Sequence, residues 1–530
     1  MKAHLLDRDH DIDLQRPLPW NAEALTKDLA LDTLFNAMAQ GDKFVFEVVR
    51  KVVLRSLQNE VETIRYRQKV LQDCLNHPVI VRELYALAVE AVEAEKKHYF
   101  SLFMHYPEGV LRRSAELLDA LLGVLKKLRK IADTHGHEFS SEGWTGLFAT
   151  LQRELSNEYF AIVEDHLEQL QFRDGVLLSA KLTEGNKAGG YTLHAFGLVR
   201  YGRWAWLKRL LSGKWLRRII SREWRKWPFA ENWLTHRNGE RPSVLEFSLH
   251  PRDEGGSRIL AQLRDRGVGL VANAVGQSTD HVRSFFSMLR AELAFYVGCV
   301  NLHEQLVRKG EPTCFPDPVT AEGGRLSVGG LYDVCLSLSM NQRVVGNDAN
   351  ANNKDLIVVT GANQGGKSTF LRSVGLAQLM MQCGMFAPAE SFSSSVHDGL
   401  FTHYRREEDT SMKSGKLDEE LSRMSGILDH ITSYPMILFN ESFAATNERE
   451  GSEIARQIVS ALLDRGVKVV LVTHLYELAR NFYENNAGNV LFLRAERQDG
   501  GVRTFKLIEG KPLDTSFGED LYKSIFIELR

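Results

Sequence analysis

The sequence predicts a chain in two parts. A mainly helical N-terminal region carries a small inserted segment of different character, and an α/β domain with a parallel-sheet core follows. Three observations carry this. Residues from about 24 to 172 place apolar side chains at helical spacing almost throughout. A Pro-rich break, "EPTCFPDPVT", then ends the helical style. After it, three short β-branched runs, "LIVVT", "PMILFN" and "VKVVLVTH", are separated by helical stretches, the pattern of parallel strands with helical crossovers.

The bulk properties fit a globular chain. At 530 residues there is material for three or four domain-sized units. Hydrophobic content of 44% and charged content of 25% are ordinary. A formal net charge of −2 excludes a uniformly basic nucleic-acid binder, so any such surface is local. The five cysteines (Cys74, Cys299, Cys314, Cys335, Cys383) are scattered and form no CxxC pair. That argues against a disulfide framework or a zinc site and for a reducing, cytoplasmic setting. The N-terminus "MKAHLLDRDHDIDLQ" is too charged for a secretory signal, no uninterrupted apolar run approaches a membrane span, and no fixed-period repeat stands out.

In the helical region, "DTLFNAMAQGDKFVFEVVRKVVLRSL", "VRELYALAVEAVEAEKK", "RRSAELLDALLGVLKKLRKIA" and "WTGLFATLQRELSNEYFAIVEDHLEQL" each repeat the amphipathic pattern. Breaks are expected at His77-Pro78, Tyr106-Pro107 and Gly136. Near Phe172 the style changes: "DGVLLSAKLTEGNKAGGYTLHAF" is glycine-punctuated and reads as strand. From Val199 to Trp227 there are ten Lys/Arg and one acid, Glu223, and six of the eight tryptophans lie between Trp204 and Trp233. Helix returns with "STDHVRSFFSMLRAELAFYVGCVNLHEQLVRKG", where Ser278 or Thr279 is the expected N-cap and Gly310 the expected stop. Its apolar face is Val282, Phe286, Leu289, Leu293, Val297 and Val300.

The chemistry concentrates after the break. "LIVVTGANQGGKST" runs from a buried-type strand into a complete GxxxxGKS loop and an amphipathic helix. The loop residues Gly361, Ala362, Asn363, Gln364, Gly365, Gly366, Lys367, Ser368 and Thr369 form a candidate ATP site. Glycines let backbone N–H groups approach phosphate oxygens, and the helix N-terminus adds a favourable dipole. Lys367 would neutralise β/γ-phosphate charge and Ser368 would ligate Mg²⁺. A second strand delivers Asn440 and Glu441 to the carboxyl edge of the sheet, where ligands bind in such folds. Glu441 suits a base or orienter for the attacking water. Asn440 stands where such strands usually carry Asp; its amide oxygen can still accept from a metal-bound water, without the charge. A third strand ends at Thr473-His474, where a histidine can hydrogen-bond a γ-phosphate. A lone strand-end histidine is usually structural; its place after a glycine loop and a glutamate strand favours function here.

The ordered set "VVGND", "TGANQGGKSTFLRSV", "CGMFAPA", "DGLFTHYRREED", "ILFNESFAATNEREG", "VTHLYELA" and "SFGEDL" resembles the ATPase domain of the MutS family of DNA mismatch-repair and recombination proteins. The upstream "LDTLFNAM" to "YRQKVL" is similar, more loosely, to that family's helical core. The resemblance implies a P-loop ATPase, a homodimer with composite ATP sites, and helical levers coupling ATP and Mg²⁺ to a DNA-encircling clamp. On it, residues 1–23 are an N-terminal extension, 24–171 the helical core, 172–255 a clamp-like insert, 256–312 a returning lever helix and 313–530 the ATPase domain. The insert's Arg203, Lys208, Arg209, Lys214, Arg217, Arg218, Arg222 and Arg225 become candidate DNA-phosphate contacts, with tryptophans stacking on exposed bases. An amphipathic membrane-surface helix or a protein-binding patch would carry the same charge pattern. The alternatives to a DNA switch are therefore an ATP-gated scaffold and a membrane-surface ATPase.

Departures from the family pattern shape the expectations. There is no room for the mismatch-reading domain or an appended nuclease-like domain, and "FAE" at Phe229–Glu231 sits in the wrong context for a wedge motif. Slow hydrolysis is expected from Asn440. The partner-contacting signature is replaced by "SGKLDEELSRM", with Ser414 in approximate register. Val344 stands where the family stacks an aromatic on adenine, and Phe505 offers a stacking surface from the other side.

Overall fold

The computed structural model describes residues 1–58, 60–98, 107–170, 178–183, 187–193, 246–247, 254–340, 342–406, 415–485, 488–498 and 503–513. The chain divides into two compact units. One comprises residues 1–97, 120–156 and 281–530, the other residues 98–119 and 157–280.

The N-terminal region is helical, as its spacing requires. Among the described residues it forms α1 (Ala22–Asp28), α2 (Leu31–Ala39), α3 (Lys43–Leu54), α4 (Val61–Asn76), α5 (Pro78–His98), α6 (Pro107–His135), α7 (Glu142–Glu154) and α8 (Asn157–Leu170). Helices α5 and α6 begin on prolines, where a missing N–H costs nothing and φ is already helical. The run from Asp32 to Leu57, read as one helical stretch, is interrupted. Gln40 and Gly41 take left-handed φ of 47° and 90°, and the Asp42 carboxylate caps α3 by accepting from the Phe44 and Val45 amides.

The glycine-punctuated stretch after Phe172 does form strands. β1 (Leu178–Thr183) and β2 (Lys187–Leu193) pair antiparallel, and β3 (Glu246–Phe247) joins β2. Helix α9 then runs from Glu254 to Arg308. Ser278 and Thr279 are therefore not its N-cap. Both sit inside it, and their hydroxyls donate back to the Ala274 and Val275 carbonyls at 3.0 and 2.8 Å, the alternative use of these residues within a helix. The stop is as expected: Gly310 follows with φ 69°. Val282, Phe286, Leu289, Leu293, Val297 and Val300 are all buried. Val271–Arg308 is long and apolar enough to cross a membrane, but 83% of its most apolar window is packed inside the fold.

The N-terminal residues are part of the core. Leu5 and Leu6 are fully buried. The Leu5 amide donates to the Glu292 carboxyl of α9 at 2.6 Å, and the Tyr296 hydroxyl donates to the Leu5 carbonyl at 2.5 Å. From α4, Arg67 Nε donates to the Leu6 carbonyl at 2.5 Å.

The C-terminal part holds two sheets. β4 (Asp317–Val319), β5 (Leu326–Leu331), β6 (Asn347–Asn350) and β8 (Ser391–Ser395) make a small sheet in the order β4-β8-β5-β6. The main sheet contains β7 (Leu356–Thr360), β9 (Gly399–Tyr404), β10 (Pro435–Asn440), β11 (Lys468–Val472), β12 (Val490–Arg497) and β13 (Arg503–Glu509) in the order β13-β12-β7-β11-β10-β9. All neighbours are parallel except the β12–β13 pair. Among the described residues this part has five α-helices: α10 (Val334–Ser339), α11 (Lys367–Gln382), α12 (Lys416–Leu428), α13 (Glu448–Asp464) and α14 (Tyr476–Glu484).

Alternation along the strands builds both layers. Val358, Ile437, Phe439, Val469 and Leu471 point to one face and pack with Val459 and Leu462 of α13 and Leu478 of α14. Leu438 points to the other face and lies against α11 at Gly375. The chain leaves β7, fills one side of it with β9 to β11, and crosses to its other side for β12. Strand order therefore reverses at β7, and open α/β sheets take their ligands at the carboxyl end of such a switch point.

Candidate functional site

The glycine loop sits at that switch point. It follows β7 directly, and Gly366, with φ 88°, is the N-cap of α11. A Cβ at Gly365 would lie 2.6 Å from Ala495 of β12, so the loop's tight seat on the neighbouring strand requires glycine there. Lys367, the first helical residue, is buried, and its ammonium donates to the Gly361 and Ala362 carbonyls at 3.0 and 2.9 Å. Burial pushes its pKa down to about 8, Glu441 opposes that shift, and Arg503 adds to it.

Parallel register brings the other strand ends alongside. Asn440 pairs with Val472, and Val472 with Val359, so three carboxyl ends finish level. Two side-chain pairs result. The Ser368 hydroxyl donates to Asn440 Oδ1 at 2.9 Å. His474 Nε2 donates to Glu441 Oε1 at 2.7 Å. That bond, ahead of the opposing effect of burial, holds the Glu441 pKa below the usual carboxylate value, with Lys367 and Arg405 helping.

The turn carrying Glu441 is strained. Glu441 and Phe443 have φ of 54° and 63°, in the left-handed region that favours glycine. It is held from β9 and α12. His403 Nε2 lies 2.9 Å from the Glu420 carbonyl and Nδ1 2.7 Å from the Ser442 hydroxyl, which donates to the His403 carbonyl at 2.5 Å. Burial lowers the His403 pKa to about 4. The ring stacks on Phe443 at 5.1 Å between centroids.

The loop residues Gly361 to Thr369, Asn440, Glu441 and His474 are thus brought to one edge. Phe505, half exposed, passes its backbone beside Gly366, whereas the Val344 amide is tied to Glu311 at 2.9 Å. The Asn347 amide accepts from the Leu507 N–H at 2.7 Å and so joins the "VVGND" segment to β13. Sequence reading missed Arg503, whose Nη1 donates to Gln364 Oε1 at 2.7 Å, and the His403–Ser442 brace. Ser414 and all eight candidate DNA contacts, Arg203 to Arg225, lie outside the described residues.

A strand, a glycine loop and a helix at the switch point of a largely parallel sheet, with an acidic strand end beside them, define an α/β domain. Comparison with known families and proteins narrows this. Residues 59–309 match the MutS2 N-terminal domain, and residues 357–527 match MutS domain V. DNA mismatch repair protein MutS of Thermotoga petrophila is 32% identical over 213 residues, 39% of this chain and 26% of that protein. The proteins of the same name from Lactococcus lactis subsp. cremoris and Listeria monocytogenes serotype 4a are each 25% identical over 285 residues. They cover 51% and 53% of this chain, and 34% and 33% of their own lengths. The chain therefore spans about a quarter to a third of the curated relatives it matches. It belongs to the MutS family.

Proposed function

We propose that this chain is a DNA-binding ATPase of DNA repair or recombination, in which ATP binding and slow hydrolysis switch a dimeric clamp. The reading is supported above all by one observation: the Ser368–Asn440 and Glu441–His474 pairs meet at the edge where the glycine loop opens. The relatives' printed name supports the DNA repair setting.

In this reading the loop amides and Lys367 bind the β- and γ-phosphates, for which Lys367 leaves its two carbonyls. Ser368 and Asn440 present two oxygen donors 2.9 Å apart, the type a hard divalent cation takes, and would hold Mg²⁺. Bound there, Mg²⁺ supplies charge neutralisation at the phosphate oxygens. Glu441 orients and deprotonates water, and His474 exchanges its bond to Glu441 for one to the γ-phosphate. Asn440 lacks the Asp charge, which slows the reaction without abolishing it, because stabilisation is spread over Lys367, Glu441 and the helix terminus. Each site is completed by the partner protomer, and the basic tryptophan segment contacts DNA phosphates.

A second reading, an ATP-holding scaffold without a DNA role, is favoured by the neutral Asn440 and by the engagement of Glu441 with His474. Steady-state ATPase assays with and without duplex, branched and single-stranded DNA separate the two. A slow, DNA-responsive rate that Glu441→Ala removes and Asn440→Asp raises about tenfold or more supports the switch. Tight ATP binding without turnover or DNA response, with turnover restored by Asn440→Asp, supports the scaffold.

A further inference from the structure

Arg503 opens β13, and its guanidinium donates to the side chain of Gln364, the fourth residue of the glycine loop, at 2.7 Å. Gln364 has φ 58°, the one non-glycine residue of that loop in the left-handed region. The arginine therefore holds the loop at its most strained point. Its own position is fixed by packing. Ala495 of β12 leaves no room for a Cβ at Gly361 or Gly365, and the Phe505 backbone, two residues past Arg503, lies 3.3 Å from where a Gly366 Cβ would stand. The β12–β13 hairpin thus lies along the loop.

Among the described residues, two cations meet at this contact. Arg503 acts on the buried Lys367 ammonium, lowering its pKa in the same sense as burial does. On the acidic side, Asn440 is neutral and Glu441 is engaged by His474. Cations gathered at a helix N-terminus repel one another until an anion comes between them.

We propose that Arg503 is a polyphosphate-binding residue, which leaves Gln364 when nucleotide enters and engages the outer phosphate oxygens beside Lys367. This rests on the nucleotide-binding reading above and deepens it. A guanidinium suits the task, because its planar fork matches two phosphate oxygens. Arg503 and Asn440 shift the site the same way, toward the nucleotide anion and away from the divalent cation. Nucleotide binding is therefore less dependent on Mg²⁺ than in a site that has an aspartate and lacks this arginine.

The test is calorimetric titration of the full chain with ATP, ADP and AMP, in EDTA and in Mg²⁺, for the native protein, Arg503→Gln and Gln364→Gly. Glycine tolerates the left-handed backbone, so Gln364→Gly releases the guanidinium without distorting the loop. The expected results are native ATP binding in EDTA, weakened about tenfold or more by Arg503→Gln, with a smaller loss for AMP. Gln364→Gly loses less ATP affinity than Arg503→Gln does. Thermal melting of nucleotide-free Arg503→Gln, together with Arg503→Lys titrated alongside it, separates lost contact from lost fold. ATP affinity unchanged by Arg503→Gln overturns the proposal, and so does a Gln364→Gly variant that reproduces the arginine loss, which would make Arg503 a brace for the loop. A native chain that binds neither ATP nor ADP overturns the nucleotide reading itself.

Discussion

Lys367 shows how a single residue sets the operating range of the site. Its ammonium is buried against two carbonyls, and desolvation brings its pKa to about 8. Phosphate binding requires the charged form, so the free site loses affinity as pH rises through that value. ATP affinity is expected to stay flat from about pH 6 to 7.5 and then fall, by up to about tenfold per unit. Titration from pH 6 to 9.5 checks this, with Lys367→Met as the reference; a flat profile above pH 8.5 would remove Lys367 from phosphate binding. The residue was legible in the sequence because GxxxxGKS fixes its place relative to strand and helix. The Glu441–His474 bond was not, since 33 positions separate the two and only parallel register sets them side by side. Arg503 was less legible still. Its partner lies 139 positions upstream, and a short antiparallel edge strand brings it there.

At the level of elements, period and punctuation located most helices and the three strands of the motif. They failed where local chemistry competed with the period. Asp42 started a new helix inside an apparently continuous one, while Ser278 and Thr279 spent their hydroxyls on α9 instead of capping it. The N-terminal extension offered no periodic signal because it is pinned by backbone hydrogen bonds rather than by an amphipathic face. Glu292 is the titratable part of that pin. Burial raises its pKa to about 7, against the lowering effect of the Leu5 and Leu6 amides; Asp11 raises it further and Arg67 lowers it. Its value in an unfolded chain is near 4.5. As pH climbs between those values, the unfolded state gives up the proton and the folded state keeps it, so stability falls across this window and the cost is complete above pH 7. Glu292→Gln keeps an acceptor for the Leu5 amide and cannot ionise. It should match the native unfolding free energy near pH 4.5 and exceed it at pH 8, by at most about 3 kcal/mol, as denaturant melts at the two pH values would show. Native and variant curves that run parallel from pH 4.5 to 8 would show that this carboxyl does not titrate on unfolding.

At the scale of the whole molecule, charge is concentrated in one stretch of the chain, and a nucleotide switch would have to couple that stretch to the ATP site. The net charge is −2, yet Val199 to Trp227 carries ten basic residues and one acid, in the stretch of chain between β2 and β3. If Arg217, Arg218, Arg222 and Arg225 neutralise DNA phosphates, replacing all four with glutamine lowers the slope of log affinity against log salt by roughly 3 to 4 on duplex DNA. A membrane-surface role instead makes the same variant lose anionic liposomes and keep its DNA slope. Linkage sets the stricter requirement. If ATP changes DNA affinity by some factor, DNA must change ATP affinity by the same factor, and couplings of this kind usually fall at roughly 5- to 150-fold. The decisive measurement is both sides of that cycle in one buffer, using Glu441→Gln to slow turnover: DNA affinity with and without ATP, and ATP affinity with and without DNA. Equal factors above about fivefold establish a nucleotide switch acting on DNA. Two factors of one mean that the ATP site and the basic segment share a chain without sharing a free energy, and the scaffold reading then accounts for the site better than the clamp.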